Sequence, residues 1–127
     1  MKQIPLRPKL SRRAAAPAMQ KFRNAEQAWF WTVSALRARR EGTHSAGKGT
    51  PRPCDPDDVI KCIDRLYRNR RVDLVHARIM RIWGERQAAP DPTRAGERSD
   101  HRLWTEAMER LGGSLRVKGI VEELNQE

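Results

Sequence analysis

Four times along this chain, apolar residues recur at helical spacing between a residue that starts a helix and one that stops it. A stripe repeating every three or four residues lines one side of an α-helix, whereas in a strand it would scatter over both faces. The first stripe is Ala25, Ala28, Trp29, Thr32, Val33 and Leu36, with Asn24 and Gln27 as a capping-box start and Gly42 as the stop. Phe30 and Trp31 fall off that stripe, which predicts a helix buried on more than one side. The second helix starts at Asp55-Pro56-Asp57-Asp58, a cap, a proline suited to the first turn and two carboxylates at the positive end. Val59, Ile60, Ile63, Leu66 and Tyr67 are its expected buried face. The third follows Asp73, with Leu74, Val75, Ala77, Ile79, Ile82 and Trp83 inward, Met80 flanking and Gly84 as the expected stop. The fourth is capped by Ser99 or Asp100, carries Leu103, Trp104, Ala107, Met108 and Leu111, and is expected to end at Gly112-Gly113.

The reading is therefore an all-α protein, a small bundle of four to five short helices. Trp29, Trp83 and Trp104 all lie on apolar faces and are the expected core anchors. The tail from Ser114 to Glu127 fits period two and helical spacing equally well. A strand there would have nothing else in the chain to pair with, so it would imply a homodimer. The connections at 42–57 and 91–99 are rich in Gly, Pro, Ser and Thr and read as loops. Before the first helix, Pro5, Pro8 and Pro17 exclude a long helix, so residues 1–23 read as a flexible, disordered basic arm and 24–124 as a single helical domain.

The 127 residues carry 26 Lys+Arg against 16 Asp+Glu, a formal charge of +10. Seven positive charges and no negative one fall in residues 1–23; residues 61–86 hold eight basic and three acidic side chains; residues 87–127 are mildly acidic. Two basic blocks on a small helical scaffold point to a polyanion, and nucleic acid is the commonest, since each neutralised phosphate releases counterions. Lys61, Arg65 and Arg68 recur at i, i+4 and i+7 on one helix side, Arg70 and Arg71 follow in the turn, and Arg78 and Arg81 extend the cluster. With Arg12 and Arg13 of the arm, these are the expected phosphate-gripping residues. The short link between the second and third helices resembles a helix-turn-helix, though its turn lacks glycine and its second helix offers few base-reading side chains. The alternative partner is an acidic protein or an apolar surface meeting Phe30, Trp31 and the C-terminal apolar residues, which would make the chain an interaction or regulatory adaptor.

Other chemistries find little footing. Cys54 and Cys62 stand eight apart and His44, His76 and His101 are scattered, which does not suit a zinc site. The carboxylates at Asp55, Asp57 and Asp58 serve as caps, Cys62 suits a small core position, and His76 reads as a polar residue near a helix end. GKGT at 47–50 lacks both the P-loop spacing and a preceding strand. No enzyme activity, cofactor or metal is expected. No apolar run is long enough to span a membrane, and AAAPAM is too short for a secretory core. A cytoplasmic location with reduced thiols is the expectation. The stretches PRPCDPDDV, DRLYRNRRVDL and HARIMRIWGER give roughly residues 28–121 a resemblance to small basic proteins of unknown function from alphaproteobacteria and their phages. That resemblance implies a bacterial, prophage-linked setting and supplies no site residues.

Overall fold

The computed structural model describes residues 19–43 and 51–124. Among the described residues four α-helices carry the fold: α1 over Ala25–Glu41, α2 over Pro56–Arg68, α3 over Leu74–Arg86 and α4 over Arg98–Val117, with a 3-10 turn at Ala95–Glu97 leading into α4. Among the described residues there is no strand, and no helix is long and apolar enough to cross a membrane. α1 packs on α2, α3 and α4, and α4 packs on the other three. α2 and α3 each lean on α1 and α4 and not appreciably on each other.

The central place of α1 answers to its off-stripe aromatics. Phe30 stacks on Trp104 with ring centroids 5.6 Å apart, and Trp31 tilts against Phe22 at 5.0 Å. Trp29, Trp83 and Trp104 are buried, as their spacing predicts. Each indole N–H must then find an acceptor. Trp29 Nε1 donates to the Met80 carbonyl at 2.9 Å, Trp83 Nε1 to Asp100 Oδ2 at 3.0 Å, and Trp104 Nε1 to Glu26 Oε2 at 2.7 Å. Each bond crosses between elements, so the tryptophans orient the helices as well as fill the space between them. Asp100, expected as a cap of the fourth helix, is instead an acceptor within its first turn.

The N-terminal ends follow local chemistry. Asn24 Oδ1 accepts from the Gln27 N–H at 2.9 Å, Asp58 Oδ2 accepts from the Asp55 N–H at 2.9 Å, and Gly42 closes α1 in the left-handed region at φ 76°. Several other expectations are corrected. α3 runs past Gly84 to Arg86, and α4 runs through Gly112-Gly113 to Val117. In α3 the glycine is needed for close approach, since Gly84 lies against Trp29 and Val33, whereas an added Cβ at Gly112 would meet Ala25 at ordinary contact distance. Ile60, Tyr67, Leu74 and Val75, expected inside, are exposed, Leu74 by 71%. Val59, Cys62 and Leu66 form the buried side of α2, and the buried side of α3 is turned toward His76, Ile79, Met80 and Trp83.

The largest correction concerns the start of the folded unit. Phe22, read as part of the arm, is fully buried. Its N–H donates to the Ile120 carbonyl at 3.0 Å and its carbonyl accepts from the Glu122 N–H at 2.9 Å, a parallel bridge between Phe22 and Val121. The C-terminal segment thus pairs within its own chain, and no second copy is required to satisfy it. Arg52 fastens the same place, its guanidinium 4.3 Å from the centre of the Phe22 ring and donating to the Gln20 carbonyl at 3.2 Å.

His76 is also a core element. Its Nδ1 accepts from the Asp73 N–H at 3.0 Å, so the ring proton sits on Nε2, which donates to Glu106 Oε1 at 2.9 Å. This hydrogen bond holds the Glu106 carboxyl below the ordinary glutamate range, against its partial desolvation. A carboxyl so depressed stabilises the fold above its unfolded-state pKa of about 4.3, and that stability is lost as pH falls through the lower folded value. Glu106→Gln should therefore flatten the acid limb of a stability–pH curve below about pH 4.3. Urea unfolding of both proteins from neutral to acid pH measures this, and parallel acid limbs would refute it.

Candidate nucleic-acid interface

α2 ends in a turn that is unusual for what occupies it. The Arg71 N–H donates to the Leu66 carbonyl at 2.8 Å and the Arg70 N–H to the Tyr67 carbonyl at 3.1 Å, the paired bonds of a Schellman stop. The residue at the turn of such a stop takes a left-handed backbone, which glycine adopts freely and a residue with a Cβ adopts at a cost. Here that residue is Arg70, at φ 61°. This is why α2 can end abruptly without a glycine.

A second side chain in the same strained state offers a comparison. Gln87 ends α3 at φ 57°. Its amide Nε2 donates to the Phe30 carbonyl at 3.0 Å and to the Gly84 carbonyl at 2.9 Å, tying α3 to α1. The strain at Gln87 is thus offset by structure. Arg70 is exposed, and among the described residues its guanidinium makes no hydrogen bond or ion pair. The fold gains nothing visible from an arginine there.

Tyr67, Arg68, Arg70, Val72 and Asp73 line a cleft of about 450 Å³ at this corner. Tyr67 is 45% exposed and shares this cleft with Arg68 and Arg70. Arg71 faces a neighbouring groove of about 480 Å³ between the end of α2 and α4, shared with Arg110, Ser114 and Val117. Arg110 Nη1 donates to the Arg71 carbonyl at 3.1 Å, so one arginine braces the turn that presents the others.

Lys61, Arg65 and Arg68 are exposed on α2, opposite its buried side. Two carboxylates interleave with them. Asp64 pairs with Arg68 at 2.8 Å and Asp57 with Arg39 of α1 at 3.4 Å; all four side chains are more than half exposed. Exposed pairs of this kind hold weakly, by about 0–1 kcal/mol, and can be exchanged for a phosphate. Of the seven expected cations from Lys61 to Arg81, only Arg68 lies within ion-pair distance of a carboxylate among the described residues.

The expected set is not gathered into one patch. Tyr67, Arg68 and Arg70 share a cleft, and Arg71 opens onto the next groove. Arg81 lies instead beside Arg40 in a separate groove between α1 and α3. Arg78 is exposed on α3 and lines none of these hollows. Arg12 and Arg13 lie outside the described residues. Tyr67 and Arg110 were not among the expected residues. Tyr67 fits the apolar stripe of α2 by spacing, and Arg110 reads as ordinary solvated surface, so only their neighbours across the turn distinguish them.

Burial, followed by the charges of Asp58 and Asp55, pushes the Cys54 thiol up to about 11, far from the thiolate a nucleophile requires. Among the described residues no three His, Cys, Asp or Glu side chains come together in a way that could hold a metal ion. No protein-family model, no curated protein and no solved structure matches this chain.

Proposed function

We propose that the protein binds nucleic acid through its phosphates at the corner where α2 turns into α3. Arg70 carries this reading: an arginine held in a left-handed turn, with its side chain in solvent and no internal partner among the described residues. Strained positions of this kind are kept where they serve a site. Arg68 and Arg71 stand on either side of it, Lys61 and Arg65 extend the positive charge along α2, and the Tyr67 ring offers a face on which a base can stack. No helix is assigned to read base edges, since α2 and α3 lean on α1 and α4 instead of on one another. A bacterial cytoplasm, where nucleic acid is at hand and thiols stay reduced, accords with this reading.

Arg70→Gly tests it because its two effects have opposite signs. Removing the left-handed strain should raise unfolding stability by about 1 kcal/mol. Removing a phosphate contact should weaken binding to a fluorescein-labelled oligonucleotide for all sequences alike, and lower the slope of log K against log salt by about one. Affinity indifferent to both salt and Arg70→Gly would overturn the proposal, and the gain in stability shows that the variant is folded.

A further inference from the structure

α1, α2 and α3 leave a small hollow of about 210 Å³ between them. Val33 and Leu36 of α1, Ile63 of α2 and Met80 of α3 wall it together with Trp29. The indole N–H is already committed to the Met80 carbonyl. Arg40 and Arg81 stand at the rim from opposite helices, and among the described residues neither lies within ion-pair distance of a carboxylate. Glu85 shares the rim, while its carbonyl accepts from Arg37 Nη2 at 2.8 Å, which brings a third guanidinium to the end of α3.

The geometry points to a docking site for an acidic protein segment that inserts one large aliphatic side chain between flanking carboxylates. The volume is below the roughly 300 Å³ at which pockets for free small ligands begin, so it suits one anchoring side chain. The rim supplies the cations that carboxylates beside such an anchor would meet, and bidentate Arg–carboxylate pairing would fix its direction. A nucleobase fits poorly: the walls are aliphatic, Trp29 is nearly buried, and its indole N–H is unavailable to read a base edge. The charged side chains of the chain's own residues before Met19 are all basic and would be repelled by the rim. Arg81, expected from sequence among the phosphate-gripping cations, is here part of a separate surface.

The probe is a labelled seven-residue peptide of Glu and Ser with a central Leu, titrated into the full chain and followed by anisotropy and by the amide and indole resonances of 15N-labelled protein. Shifts should centre on Trp29, Ile63 and Met80. Replacing the central Leu by Ala should weaken binding roughly tenfold or more. Arg40→Glu and Arg81→Glu should each weaken the Leu peptide, while Arg70→Gly should leave it unchanged, so this proposal and the nucleic-acid reading can fail separately. Equal affinity for Leu and Ala peptides would overturn it, as would shifts confined to the α2–α3 turn. So would displacement from the hollow by an oligonucleotide or by a fatty acid that binds there more tightly.

Discussion

Phe22→Ala should lower the stability of the protein by about 3–5 kcal/mol, the range for deleting a large buried aromatic ring. Against a total of about 5–15 kcal/mol for a domain of this kind, that is enough to leave it marginal. Phe22 lies only three residues before α1, in a stretch whose composition reads as a solvated arm, so a surface position there would predict almost no effect. The structure predicts otherwise because the ring is fully buried, lies 5.0 Å from Trp31 and is covered by Arg52. The backbone bonds to Ile120 and Glu122 need no side chain, so the loss should come from packing. Phe22→Leu, which keeps most of the volume, should recover most of the stability. Urea unfolding followed by tryptophan emission measures both, with Trp31 as a local reporter. A loss for Phe22→Ala below about 0.5 kcal/mol, the size of an ordinary surface effect, would mean that the segment does not belong to the core.

Gly84→Ala sets local preference against packing. In an isolated helix, alanine is favoured over glycine by about 1 kcal/mol. In this protein the added Cβ would stand 2.6 Å from Trp29 Nε1 and 3.0 Å from Val33 Cγ2. Neither neighbour can give way cheaply. The indole is pinned by its bond to the Met80 carbonyl, and α1 and α3 are tied further by Arg37 to the Glu85 carbonyl and Gln87 to the Phe30 carbonyl. The helices must part, and overpacking of this kind costs about 1–3 kcal/mol; set against the gain in helix preference, a net loss of about 1 kcal/mol is expected. Gly113→Ala is the control. Its Cβ would meet nothing nearer than the Arg116 guanidinium at 4.0 Å, so the helix preference should show and the protein should gain about 0.5–1 kcal/mol. Thermal unfolding of the two variants should therefore shift in opposite directions. Two gains would refute the close approach of α1 and α3.

The candidate site divides in the same way. That Arg68, Arg70 and Arg71 follow one another at the end of a helix is plain from the sequence. That Arg70 takes the strained turn, that Tyr67 turns outward beside it and that Arg110 braces Arg71 is not. Each depends on which side of α2 faces α1 and α4. Spacing alone offers Tyr67 and Leu66 as near-equal members of one stripe, and burial selects Leu66 together with Cys62 and Val59. The same uncertainty of facing hid Arg81, whose place on α3 is readable but whose neighbour Arg40 lies some forty residues away in sequence.

What the sequence determined by itself is the set of four helices, their N-terminal starts at Asn24, Asp55 and Asp73, the Gly42 stop and the three tryptophan anchors. These depend on interactions within about four residues: cap hydrogen bonds, dipole-complementing charges and a repeating apolar stripe. The tertiary structure alone decided that Gly84 continues its helix against Trp29 and Val33, that Phe22 and Val121 close the fold together, and that His76 bonds Glu106. In each case the deciding partner is distant in the chain, and the free energy of burying a ring, a glycine contact or a polar pair against it outweighs the fraction of a kilocalorie that local preference supplies.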